Sequence, residues 1–297
     1  MMIAVPRRKS SDIRVKQLRI SYEDFPYRTP YEFGGRKADR VTLLDVRCTV
    51  EALNGRRAEG FGSMTMGNLW SFPSKTLAYD TTLEAMKRLA ERVGKITSAY
   101  TEPGHPIDIN FALESEYIRA AAEVTKEMNL DQPIPKLCTL VTASPFDAAI
   151  HDAFAKCHQL NCYLTYGADF MSYDLAHYLA PQFKGEYPSQ YLLRTPKPWL
   201  WCNHSVGASD PIEESDVAKP LNDGLPQTLG EWMVADGLTH LKIKLDGNNL
   251  ERDITRVLHI DRVATEIEKR SSGRQWYYSL DFNEQCPDAD YLLEFMN

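Results

Sequence analysis

The chain has 297 residues, of which 43% are hydrophobic, 10% aromatic and 25% charged. This is the make-up of a folded globular protein of about two domains, and it excludes intrinsic disorder, collagen-like repeats and a coiled coil. Lys plus Arg number 34 against 41 Asp plus Glu, a formal charge of -7, so no global field draws the chain toward nucleic acid or a membrane surface. The basic cluster Arg7-Arg8-Lys9 reads as a solvated end. No apolar run reaches the roughly 18 residues of a membrane span, and Met1 to Ser10 lacks the apolar core of a secretory signal. A cytoplasmic protein is expected.

In chain order, the first sixty residues predict a β-meander. Ile13, Val15, Leu18 and Ile20 alternate imperfectly, Val46, Cys48 and Val50 alternate cleanly, and Asn54-Gly55 is a strong hairpin signal. Strands are expected near 13–21, 41–53 and 56–63. Phe25 to Arg36, rich in Pro, Tyr and Gly, and Gly60 to Gly67 both read as loops. Phe33, Met64 and Met66 on those loops are either tucked under the domain or presented to a ligand.

From residue 80 the period becomes helical. Thr81-Thr82-Leu83-Glu84 has the form of a capping box, and Leu113, Tyr117, Ala120, Ala121, Val124 and Met128 mark a second helix. Ser144-Pro145-Phe146-Asp147 predicts the start of a third, with Ser as N-cap and Pro in the first helical position. Residues 1–160 are therefore expected to form an α+β domain. His151, His158 and Cys162 share a helical face, as metal ligands sometimes do. The stronger stripe Phe146, Ala149, Ile150, Ala153, Phe154, Cys157 and Leu160 marks a core-packed helix with incidental histidines. The six cysteines are spread without a C-x-x-C pair, which argues against a disulfide framework and a zinc ribbon.

Residues 161–198, rich in Tyr and Pro, read as a connection with one helix near Tyr173 to Leu179. Beyond it the pattern alternates: an apolar run at 199–206, a helix near 227–236, a strand at 241–245, a helix near 250–270 and a strand at Trp276 to Leu280. Such βαβαβ order implies a parallel sheet.

Two signals on consecutive strands carry chemistry. Leu241-Lys242-Ile243-Lys244-Leu245 sets three aliphatic side chains on one face and two lysines on the other. A parallel strand flanked by helices is expected to be buried on both faces, so the lysines must meet a carboxylate, a metal-bound anion or a cavity. The next strand ends in Asp281-Phe282-Asn283, placing Asp281 and Asn283 at its C-terminal end, where α/β folds bind ligands.

With the K-x-K strand, the D-x-N strand and the preceding meander with its Ser-Pro-Phe-Asp-Ala-Ala-Ile-His-Asp helix, the chain resembles the mandelate racemase and muconate lactonizing group of the enolase superfamily. The resemblance covers most of the chain and implies an α+β capping domain over residues 1–160. Residues 161–198 would be a connection, and 199–297 the first three or so βα units of a TIM-type (β/α) barrel. It implies that Lys244 is the general base that removes the proton α to a substrate carboxylate, that Lys242 helps balance carboxylate charge, that Asp281 is the first ligand of a Mg²⁺ ion and that Asn283 is a polar contact to substrate. Enolase-superfamily sites use a Lys or His base with one or two Mg²⁺ ions. The loops around Phe33 and Met64 would close over the substrate. A small carboxylate is the expected partner, whether an acid sugar, an aromatic hydroxy acid or a dipeptide, and self-association is expected.

A complete barrel needs about 250 residues and eight strands, and the sequence after residue 198 suffices for about three. An incomplete barrel is therefore expected, the chain being the N-terminal part of a longer racemase, dehydratase or cycloisomerase. The alternative is a catalytically dead protein that acts as a binding or assembly module. A doubly wound enzyme is disfavoured because no Gly-rich phosphate loop follows these strands. The long connection departs from the family pattern, as an added oligomer contact would.

Overall fold

Three strands, β1 (Ile13–Phe33), β2 (Arg36–Ala52) and β3 (Arg57–Thr65), form an antiparallel sheet in the order β1-β2-β3. The computed structural model describes residues 8–33, 36–270 and 275–297; Arg7 and the side chains of residues 31–37, Phe33 among them, lie outside the described residues. Val46, Cys48 and Val50 are fully buried, as their alternation requires. The Asn54-Gly55 turn closes β2 onto β3 with Gly55 at φ 82° and Ala52 N–H donating to Arg56 O.

Most of the described residues in the two stretches expected to be loops are strand instead: 25–33 belong to β1, Arg36 to β2 and 60–65 to β3. In 25–36, pairing continues through Phe25 with Val41, shifts between Pro26 and Tyr31, and resumes from Tyr31 with Ala38 to Phe33 with Arg36. The irregularity absorbs prolines that cannot donate to a ladder. Gly60 and Gly62 lie within β3, opposite Cys48 and Val46. Their glycines answer to packing, not to a turn. A Cβ on Gly60 would stand 2.2 Å from Ala149 O, and one on Gly62 2.1 Å from Pro145 O. The bare strand lets a helix backbone press directly on the sheet. Met64 pairs with Leu44 and packs against the core, and Met66 is buried.

The short α1 (Asn68–Ser71) precedes three long helices, α2 (Tyr79–Ala99), α3 (Pro106–Glu127) and α4 (Lys136–His158). The expected capping box is not used, since α2 begins at Tyr79 and Thr82 is a buried residue that accepts from Asn68 Nδ2. Nor does a helix start at Ser144. α4 runs through Pro145, and Ser144 Oγ donates to Val141 O at 2.8 Å, the carbonyl that the missing proline N–H would have reached. The continuous buried face of Cys138, Val141, Phe146, Ile150 and Phe154 outweighs the break. On α4, His151 Nδ1 lies 3.0 Å from Asp147 O and His158 Nε2 2.8 Å from Ser11 O, while Cys162 sits beyond the helix end in a 3₁₀ turn. The Tyr-rich connection holds a short α-helix, α5 (Leu175–Tyr178), among 3₁₀ turns.

The chain divides into two units, Met1–Arg194 and Thr195–Asn297. The second holds β4 (Asn203–Val206), α6 (Leu229–Asp236), β5 (His240–Lys244), α7 (Leu250–Arg270), β6 (Tyr277–Asp281) and α8 (Ala289–Met296). Its strands pair in parallel in the order β4-β5-β6. Val206, Leu241, Ile243 and Leu245 join Leu229, Met233, Ile260 and Val263 of α6 and α7 in one apolar core. An antiparallel sheet with helices is thus followed by βα units of a parallel sheet, the fold class expected. No described helix is long and apolar enough to cross a membrane.

Candidate active site at the C-terminal edge of the parallel sheet

Residues that pair in a parallel sheet share a face. Ser205, Lys242 and Ser279 form one such row, and Lys244 pairs with Asp281 in the row beyond. The opposite face carries the apolar core, so the lysine face is the polar one. Sequence reasoning expected its lysines to be buried and to meet a carboxylate, a metal-bound anion or a cavity; they meet the carboxylate of Asp281 while remaining partly exposed. The Lys242 side chain is 41% exposed and that of Lys244 18%.

Asp281 Oδ2 accepts from Lys244 Nζ at 2.6 Å and stands 2.8 Å from Lys242 Nζ. Its other oxygen accepts the Asn283 backbone N–H at 2.9 Å, and Lys244 Nζ also donates to Asn283 Oδ1 at 2.9 Å. All four residues singled out from the sequence therefore meet in one cluster. Partial burial alone would raise the Asp281 pKa; the ammonium groups of Lys242 and Lys244 and the Asn283 N–H outweigh it and hold the carboxyl well below its usual range. Asn283 and Glu284 both take the left-handed conformation, at φ 51° and 60°. The first suits Asn, and the second is uncommon for Glu.

Behind the cluster lies a carboxylate that sequence reasoning passed over. Asp253, in the first turn of α7 and 2% exposed, accepts from the Asp246 and Gly247 backbone N–H groups and from Tyr291 Oη. An acidic residue in the first turn of a strongly periodic helix was its one sequence signal. On the far side of Lys242, the His240 ring stacks between Trp201 and Tyr277 with centroids 4.9 and 5.0 Å away.

The donor chemistry suits a hard dication: Asp281 is a deprotonated carboxylate and Asn283 offers an amide oxygen. Among the described residues no group of three or more His, Cys, Asp or Glu side chains is arranged around a metal position. Asp281 is the one carboxylate of the cluster, with Oδ2 engaged by the two lysines and Oδ1 by the Asn283 N–H. Asp288, a further acid after β6, instead caps α8 by accepting the Tyr291 N–H.

No family model and no curated protein sequence matches the chain. Solved structures do. A dipeptide epimerase from Methylococcus capsulatus complexed with Mg and the dipeptide L-Arg-D-Lys is 17% identical, with a TM-score of 0.52 over 95% of this chain and 57% of that one. A dipeptide epimerase from Enterococcus faecalis V583, complexed with Mg and L-Leu-L-Tyr, gives 15% identity and a TM-score of 0.51, again over 95% and 57%. The L-talarate/galactarate dehydratase from Salmonella typhimurium LT2 gives 16% and 0.50, over 96% and 55%. The chain thus spans just over half the length of these proteins. The antiparallel sheet with its helices, followed by parallel βα units, gives this chain the fold shared by these epimerase and dehydratase structures.

Proposed function

We propose that this chain supplies the general base of an enzyme that abstracts the proton α to a substrate carboxylate, for racemisation, dehydration or cycloisomerisation. In this reading residues 1–160 are the capping domain, 161–198 the connection and 199–297 the start of the barrel. The observation that carries it is the Lys244–Asp281 pair, 2.6 Å apart on neighbouring parallel strands at their C-terminal ends.

Lys244 first gives a proton to solvent, and its neutral Nζ then takes the α-proton with its lone pair as the C–H bonding electrons pass into the enediolate. Asp281 and Asn283 then hold the ammonium that results, through the two oxygens already within hydrogen-bond reach. Lys242, the more exposed amine, faces the same side and balances the substrate carboxylate. Mg²⁺ is the proposed cofactor, with Asp281 one of its ligands; when bound it supplies positive charge to the enediolate. The mechanism needs a substrate whose α-carbon is flanked by a carboxylate, and the solved relatives of this fold point to dipeptides and sugar diacids.

Incubating the complete protein with Mg²⁺ in deuterated buffer tests the proposal against a panel of dipeptides, mandelate and galactarate. Proton NMR is expected to show loss of the α-proton signal of at least one. Retention of every α-proton at the uncatalysed rate would overturn the assignment.

A further inference from the structure

We infer that Asp253 is a positioning residue that locks the Lys244 and Asp281 loops together, with Tyr291 as its third arm. This rests on the reading of Lys244 and Asp281 as the working pair.

The chain leaves β5 at Lys244 and turns at Asp246-Gly247. Asp253 Oδ1 accepts the Asp246 N–H and Oδ2 the Gly247 N–H, each at 2.9 Å, so this turn is fixed from α7 by both oxygens of one carboxylate. Tyr291 Oη on α8 donates to the same Oδ2 at 2.7 Å. Three donors from two segments converge on one side chain that is 2% exposed, and a buried carboxylate without such partners would be costly.

The turn also touches the loop after β6 directly. Gly247 sits at φ 73°, and a Cβ there would stand 3.0 Å from Gln285 Cβ and 3.1 Å from Cys286 N. Asn283 Nδ2 donates to Leu245 O at 3.4 Å, and Leu245 N–H donates to Asp281 O at 2.9 Å. The loops that deliver the amine and the carboxylate are therefore one packed body. A single buried acceptor fixes the turn and ties it to the helix that follows the second loop. Small displacements of a proton-transfer group have large effects on rate, so a clamp placed here sets how well the pair is aligned without touching substrate.

The test reads Lys244 itself. The chain and its variants Tyr291→Phe, Asp253→Asn and Asp281→Asn are treated with limiting acetic anhydride, and acetylation of Lys244 is followed by peptide mass spectrometry, with Lys156 as the internal standard. Asp281→Asn is expected to raise the Lys244 rate by removing its partner. Tyr291→Phe and Asp253→Asn are each expected to raise it roughly fivefold, the worth of one net hydrogen bond, with Lys156 unchanged. A general loss of stability is read separately, as a lowered Tm of the variant in thermal unfolding. Wild-type Lys244 reactivity in both clamp variants, alongside a raised rate in Asp281→Asn, would overturn the clamp and leave the pair standing. Unchanged reactivity in Asp281→Asn would overturn the pair, and the clamp with it. Tyr291→Phe deletes only a hydroxyl, so it carries the test if Asp253→Asn fails to fold.

Discussion

Lys244 and Asp281 are register partners on adjacent parallel strands, and their side chains close the distance to 2.6 Å on the polar face of the sheet. Parallel pairing makes this contact a property of the backbone. Once β5 and β6 pair as they do, the second lysine of K-x-K and the aspartate of D-x-N stand side by side, and the loops that follow the two strands set how closely their side chains align. Both sit at the C-terminal ends of their strands, where a parallel sheet opens toward ligand.

The carboxyl of Asp281 is held below its usual range, so the pair stabilises the folded state only while that carboxyl is ionised. The contribution is complete above the unfolded-state value of about 3.9 and fades as the pH falls below it toward the lower folded-state value. Asp281→Asn is expected to cost about 1–3 kcal/mol near neutral pH, with the gap from wild type narrowing below about pH 4. Urea unfolding at the two pH values measures it. An equal gap at both would contradict the assignment.

Gly60 and Gly62 are required by the helix that rests on them. Replacing either with Ala puts a methyl group inside the α4 backbone, with contacts of 2.2 and 2.1 Å. A loss of about 3 kcal/mol is expected, at the upper end of overpacking costs, together with a lower Tm. Unchanged thermal unfolding of Gly60→Ala would show that α4 does not lie against this strand.

His105 is fully buried and caps α3 by accepting the Ile107 N–H at Nδ1. Burial, and then the neighbouring His151, push its pKa down to about 3. The folded state therefore resists a proton that the unfolded chain binds below about pH 6.5, and stability falls with pH across the interval between the two values. At pH 5 the loss amounts to about 2 kcal/mol. His105→Asn keeps a capping oxygen but does not titrate there, so its stability is expected to fall less steeply between about pH 6.5 and 5. Parallel slopes for variant and wild type would refute the role given to His105.

The element order and the four residues of the cluster were legible because their signals are local. Alternation marks β2 and β5, and a fixed spacing places Lys242 with Lys244 and Asp281 with Asn283. What was misread depended on distant partners. Gly60 and Gly62 look like loop residues until α4 supplies the backbone they accommodate. Pro145 looks like a helix start until Ser144 satisfies Val141 O. Pro26 and Pro30 look like breakers until a register shift absorbs them. Asp253 was missed because the N–H groups it binds carry no side-chain signature. The exposure of Lys242, 41% against 18% for Lys244, was not legible because the K-x-K spacing puts both lysines on one face without saying how deep each lies.

Metal dependence follows from the proposed chemistry. Exchange of the substrate α-proton by the complete protein is expected to stop when divalent cations are removed with EDTA and to return on adding Mg²⁺. Exchange that survives chelation would remove Mg²⁺ from the account and leave the lysine to be tested alone.

The most direct test of the central claim compares wild type and Lys244→Ala in the complete protein. Exchange of the substrate α-proton with solvent deuterium is followed by NMR on the substrate that the panel identifies. The account predicts that the variant loses exchange by about 10²–10⁴-fold, the range for a positioned general base, while its Tm stays close to that of wild type. Exchange at the wild-type rate in a folded Lys244→Ala protein would contradict it.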